Sequence, residues 1–212
     1  MVERVEMAAF PLGTVLLPGQ LMPLQVFEPR YRVMLFDLRE ESPAEFVVAM
    51  IERGSEVGGG DVRSTVGCVA RIVSQADTDD GRSLIAVIGV RRVRVVDWLA
   101  EDPYPRAVVE PAPAIAWSGD EDPRNRAEAV TTAAREVGGL AARAGAQPWP
   151  VELELAADPE ERLWQLALLA PLATLDRQRL LGEDDPSNRC SLLESFLEEQ
   201  RELIAGRLDW ND

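Results

Sequence analysis

Apolar residues change their spacing about halfway along the chain. Before residue 115 they come in short runs: EFVVAMIE (45–52), TVGCVARIVSQA (65–76), SLIAVIGV (83–90), RRVRVVDWL (91–99) and RAVVE (106–110). Each run is rich in Val or Ile and is bounded by Gly, Pro or Asp, which predicts strands. Between the second and third lies DTDDGRS (77–83), whose Asp80-Gly81 pair suits a two-residue hairpin turn. RGSEVGGGD (53–61) carries so much glycine that ordering it is entropically costly, and it reads as a mobile surface loop. Several short antiparallel strands in series predict a small barrel or sandwich, because closure hides strand edges.

After residue 115 the spacing becomes helical, and the helix starts repeat one device. EDPRNRAEAV, ADPEERLWQL and DDPSNRCSLL each place Asp directly before Pro. Asp suits the N-cap, and Pro suits the first helical position, where its missing N–H is no loss. Asp158 and Glu161 also have capping-box spacing. FEPRYRVMLFDL (27–38) uses Glu28-Pro29 in the same way, predicting one short helix near 29–39 inside the strand-rich half. Prolines 11, 18 and 23 keep the chain before it extended or turning. In the last helix Leu193, Phe196, Leu197, Leu203, Ile204 and Leu208 fall near one face. Residues 123–145 form a weaker helix, where Gly138-Gly139 predicts a bend or break. With EPAPAIAWSGDEDP (110–123) as the joint, the prediction is an α+β chain with a β-rich part over 1–115 and a helical part over 116–212.

LMPLQVF (21–27) departs from the usual alternation. Met22, Leu24 and Val26 point one way and Leu21, Pro23, Gln25 and Phe27 the other, yet both sides are largely apolar. Either the strand is buried on both faces or one face is offered to a partner. Under the second reading Met22, Leu24, Phe27, Tyr31 and Met34 are the candidate peptide-binding residues, because Met and aromatic side chains suit adaptable contact. Such contact is weak and transient.

Composition narrows the chemistry. The 212 residues include no histidine, and all 22 basic residues are arginine. That removes Ser-His and Cys-His nucleophile pairs, Schiff-base lysines, the phosphate-loop lysine and His-ligated metal sites. Cys68 and Cys190 stand far apart, without a CxxC, and read as buried thiols in a reducing compartment. No cofactor or metal is implied. DTDDG fails as a calcium loop, since Gly81 falls at the fifth position and Ile88 at the twelfth. Net charge is −15, divided as −5 over residues 1–115 and −10 over 116–212, so a polyanion meets long-range repulsion. One alternative function is RNA binding through the Arg91–Arg94 strand. A second is carboxylate-based hydrolysis, drawn from the acid runs DTDD, DED and GEDD, which lie in turns or at helix starts. MVERVEM lacks the basic start of a signal peptide, and no run of ~20 apolar residues exists to span a membrane. The expected setting is cytoplasmic.

Taken in order, FPLGTVLLPGQLMPLQVFEPRYRVML, then STVGCVARIV with DGRSLIAVIGVRRVRV, then PYPRAVVE, and finally LWQLALLAPLATLDRQRLLGEDDPSNRCSLLESFLEEQ resemble the N-terminal, substrate-binding domain family of the ATP-dependent protease Lon. The resemblance runs from Met7 to about Leu203 and is most specific in its first block. It implies a PUA-like β pseudo-barrel followed by an α-helical bundle. It also implies a stand-alone, non-enzymatic module for polypeptide segments or a protein partner, with a proteolytic ATPase in trans as a candidate partner. The family motif residues Phe10, Pro11, Leu12, Pro18, Glu28, Pro29, Arg30, Tyr31 and Arg92 carry over as fold determinants, and none of them as catalytic.

Overall fold

The structure, a computed structural model, describes residues 3–54, 62–150 and 153–211, with side chains to residue 208. The glycine-rich segment 53–61 thus lies almost wholly outside the described residues. The chain divides into two compact units, Met1–Pro113 and Ala114–Asp212.

The first unit holds strands β1 (Val5–Leu12), β2 (Leu21–Val26), β3 (Glu45–Arg53), β4 (Val62–Asp77), β5 (Ser83–Trp98) and β6 (Arg106–Pro111), with helix α1 (Pro29–Leu38) between β2 and β3. Their order is β2-β5-β4-β3-β1-β6, and a second pairing of β6 with β5 closes five of them into a barrel. Only β1 with β3 is parallel among these pairs. β5 serves two partners in succession: residues 83–88 pair with β2 and residues 93–98 with β6. Val47, Val69, Val93, Val95, Ala107, Val109 and Ala9 fill the closed part. β2 is left as a flange on the first half of β5, with its other edge unpaired by any strand among the described residues.

Two sequence expectations are corrected here. The runs 83–90 and 91–99 form one strand rather than two. Continuity requires Gly89, because the loop after β1 crosses it: a Cβ there would lie 2.1 Å from the Leu17 carbonyl oxygen. Gly19 N–H donates to the Gly89 carbonyl at 2.8 Å, and Gly89 N–H donates to the Gln20 carbonyl at 2.9 Å. A register shift beside Gly89 absorbs the crossing. The β4–β5 turn is also not the two-residue Asp80-Gly81 type. Gly81 N–H donates to the Thr78 carbonyl and Thr78 N–H to the Arg82 carbonyl, with Gly81 at φ +80°. That is a three-residue loop ending on a left-handed glycine.

The second unit contains α2 (Pro123–Arg143), α3 (Pro159–Leu169), α4 (Thr174–Gly182) and α5 (Pro186–Asn211). Asp122 accepts from Arg124 N–H, Asp158 from Glu161 N–H and Asp185 from Ser187 N–H, so each Asp-Pro start is capped by its own carboxylate. α2 packs on α5 and α3. It runs unbroken through Gly138-Gly139, where Gly138 makes room for Trp149: a Cβ would approach that ring to 3.0 Å. Leu193, Phe196, Leu197 and Ile204 of α5 are buried, whereas Leu203 lies off that stripe and is exposed. Arg189 is buried at the centre of the unit. Its guanidinium lies 4.2 Å from the Trp164 ring centroid and donates to the Glu183 carbonyl at 2.7 Å.

Candidate functional site

Helix α1 starts because Pro29 presets the first turn and Glu28 is extended, at φ −68° and ψ 136°. Glu28 does not cap through its side chain. Its carboxylate instead accepts from Arg30 Nε at 3.1 Å, and Arg30 also donates to Glu101 at 2.9 Å. Arg63 joins the same Glu101 carboxylate and stacks on Trp98, with 4.5 Å from its guanidinium carbon to the ring centroid. Arg30 in turn lies over the Tyr31 ring at 4.6 Å. This chain of ion pairs and rings ties the helix start to the far end of β5.

One face of α1 is core. Tyr31, Met34, Leu35 and Leu38 are buried, and the Tyr31 ring sits 4.1 Å from Phe10. Burial pushes the Tyr31 hydroxyl up to about 12, so it stays neutral. The other face carries Arg32, Val33 and Phe36, and Phe36 is 67% exposed.

Beside that face runs a groove of about 540 Å³ between α1 and the tip of the β4–β5 hairpin, lined by Val33, Phe36, Arg32, Arg39, Asp77 and Arg82 among others. Arg39 crosses it to Asp77 at 2.6 Å, and Ser83 Oγ donates to the other Asp77 oxygen at 2.6 Å. The Ser83 bond first, and then Arg39, holds the Asp77 carboxyl below its ordinary range. Asp80 is likewise held low, chiefly by the Thr78 hydroxyl, and pairs with Arg82 at 3.1 Å. Arg32 has no carboxylate partner among the described residues. It lies over Gly81, where a Cβ would sit 3.5 Å from its Nη1.

The five candidate contact residues separate. Phe27 is 54% exposed and Leu24 is half-buried, but Met22, Tyr31 and Met34 are core. The last three are therefore corrected from contact surface to packing: Met22 faces inward from β2 beside Val26, and Tyr31 and Met34 fall on the buried stripe of α1. β2 is buried on one face only. Its outer face presents Leu21 and Pro23, beside Leu84 and Ala86 of β5. Sequence reasoning missed Val33 and Phe36. Their i, i+3 spacing opposite the i, i+3, i+4, i+7 stripe of Tyr31, Met34, Leu35 and Leu38 was the available signal.

Of the motif residues, Phe10, Pro11, Leu12 and Arg92 are buried, and Pro18 is half-buried in the loop over Gly89. The Arg91–Arg94 strand offers little free cation. Arg91 pairs with Glu45 at 2.8 Å, and that same nearly buried carboxylate also holds Arg71 at 2.8 Å. Among the described residues, every carboxyl with a displaced pKa is displaced downward, opposite to the shift a general acid needs. Burial pushes the Cys68 and Cys190 thiols up to about 12. Among the described residues no group of three or more Cys, Asp or Glu could hold a metal ion, and no helix is long and apolar enough to cross a membrane.

Residues 6–199 match the family described as the ATP-dependent protease La (LON) substrate-binding domain. The chain belongs to this family. Two solved structures share the LON-domain fold. A Lon N-terminal domain protein from Xanthomonas campestris is 27% identical, with TM-score 0.65, over 91% of this chain and 98% of that one. The N-terminal domain of a Mycobacterium avium complex Lon protease has TM-score 0.65 at 16% identity, over 92% and 98%. Lon protease 2 of Herpetosiphon aurantiacus is 34% identical over 109 residues, 50% of this chain and 13% of that protein. A LON peptidase N-terminal domain and RING finger protein of Schizosaccharomyces pombe is 30% identical over 122 residues, 51% of this chain and 25% of that protein. The matched LON segment is thus a small part of both longer relatives, whose remaining activities do not transfer with it.

Proposed function

We propose that this LON-family domain is a non-enzymatic recognition module that holds apolar polypeptide segments weakly in the groove between α1 and the β4–β5 hairpin. The observation that carries the reading is Phe36, an aromatic side chain 67% exposed on a helix whose opposite face is fully packed. Val33 extends the same face, and Phe27 lies just ahead of the helix. The family's description as substrate-binding, and its link to an ATP-dependent protease, supports a polypeptide client and a proteolytic ATPase as the downstream partner.

Magnitude sets the kind of binding. If three client side chains each bury ~100 Å², the gross gain is roughly 7 kcal/mol. Lost motion and ordering of a floppy client remove much of it, leaving a Kd of about 10⁻³ to 10⁻⁵ M. Release is then fast, as handing a client onward requires. Turnover at the groove has no obvious agent: the chain has neither histidine nor lysine, and the groove's Asp77 is held as a paired carboxylate.

The test is an NMR titration of the isotope-labelled chain with a reduced, carboxymethylated unfolded protein. Shift changes in α1 and the hairpin are expected, weakened about tenfold in Phe36→Ser. Unchanged spectra at about 1 mM client would overturn the reading.

A further inference from the structure

The groove is not electrically neutral. Its arginines Arg39 and Arg82 are matched by Asp77 and Asp80, at 2.6 and 3.1 Å. Arg32 is left over, exposed and beside Val33 and Phe36. The chain carries net charge −15, with acids outnumbering arginines by 37 to 22, and what sets Arg32 apart is its place beside the exposed apolar face of α1. Of the hairpin acids, Asp77 and Asp80 are engaged by Ser83, Thr78 and the two other arginines, and Asp79 is exposed at the tip with no ion pair to Arg32 among the described residues.

Resting on the polypeptide-binding reading above, we infer that the groove selects segments in which an Asp or Glu side chain neighbours a bulky apolar one. The apolar side chain packs on Phe36 and Val33, and the carboxylate meets the Arg32 guanidinium, which offers a planar fork matched to it. An internal acidic residue, rather than a chain terminus, is the source of the carboxylate in this reading. Long-range and local electrostatics oppose each other here. The whole molecule repels an acidic segment, but at ~150 mM salt the Debye length is about 8 Å, and only charges around the groove are felt. The local pair therefore decides the preference.

Three short peptides test this, sharing one Leu/Phe core flanked by Glu, Gln or Lys, each titrated into the labelled chain at ~150 mM salt. The Glu-flanked peptide is expected to bind about 3- to 5-fold tighter than the Lys-flanked one, with the Gln-flanked peptide between them. Arg32→Glu, at an exposed position, should reverse that order while leaving the spectrum of the free protein folded. A Glu-flanked peptide ending in an amide should bind as well as one with a free C-terminus. Overturning results are equal or Lys-favoured binding by the wild type, an Arg32→Glu variant with the original preference, or affinity that depends on a free C-terminal carboxylate. Self-association that fills the groove, seen as concentration-dependent sedimentation lost in Phe36→Ser, would also overturn it. If all three peptides bind α1 equally, the selectivity falls and polypeptide binding stands. If none perturbs the groove at about 1 mM, both fall.

Discussion

Helices α1 and α3 begin alike and end up with different surfaces. Each starts at an acid–Pro pair, runs about three turns and buries four residues: Tyr31, Met34, Leu35 and Leu38 in one, Leu163, Trp164, Leu166 and Ala167 in the other. Each has an aromatic ring under an arginine, Tyr31 beneath Arg30 and Trp164 beneath Arg189. Yet α3 exposes no large apolar side chain, whereas α1 turns Val33 and Phe36 to solvent. The difference cannot come from the helix-starting device or from a shortage of packing partners. It lies in two residues on one face, next to a groove and an arginine without a carboxylate. Scattered exposed apolar residues are ordinary on any protein, and what marks α1 is their grouping.

The comparison breaks first if the two buried faces are not equivalent. Met34→Ala and Leu166→Ala each remove a fully buried side chain, and each should cost about 3 kcal/mol in urea unfolding. A loss under ~1 kcal/mol for Met34→Ala would mean that α1 is a loosely held flap rather than a packed helix.

Next come the two arginines, which sharpen the comparison. Arg189 is buried on Trp164, on a backbone carbonyl and, at 3.5 Å, against the Glu160 carboxylate, so Arg189→Ala opens a cavity and should cost about 3 kcal/mol. Arg30 keeps part of its surface in water and bridges two partly exposed acids, so Arg30→Ala should cost only about 1 kcal/mol. Thermal unfolding of the two variants gives the ordering directly.

The smallest effect concerns acid. The Asp77 carboxyl titrates lower in the folded state than its ordinary value of 3.8. A lowered folded value means that the Arg39–Asp77 clamp contributes above 3.8 and is lost as pH falls through the folded value. Arg39 side-chain resonances should therefore hold steady from neutral pH down to about 4 and move only below it. Asp77→Asn should remove that step.

Much of this architecture was legible in the sequence, for local reasons. Helix starts were visible because Asp-Pro and Glu-Pro speak through the first turn alone. Strand runs were visible because β-branched residues between turn formers have few alternatives. What stayed hidden was non-local. No local feature of 83–99 says that one strand passes through Gly89, because the reason is a carbonyl of Leu17 from another segment. The two glycines of α2 looked like a break, and only Trp149 explains one of them. The apolar stretch 10–38 was legible as unusual, but not divisible into core and surface. That division depends on which face of α1 meets Phe10, and it sent Tyr31 and Met34 inward and left Phe36 outside.

The central claim is that the outward face of α1 is where client polypeptide lands. A photo-crosslinking amino acid placed in turn at Val33, at Leu84 on the outer sheet face and at Leu175 on α4 tests it most directly, with a reduced unfolded protein as client. All three positions are exposed and apolar. The account predicts client adducts from position 33, suppressed by Phe36→Ser, and few from the other two. Equal labelling from all three, or labelling that survives Phe36→Ser, would contradict it.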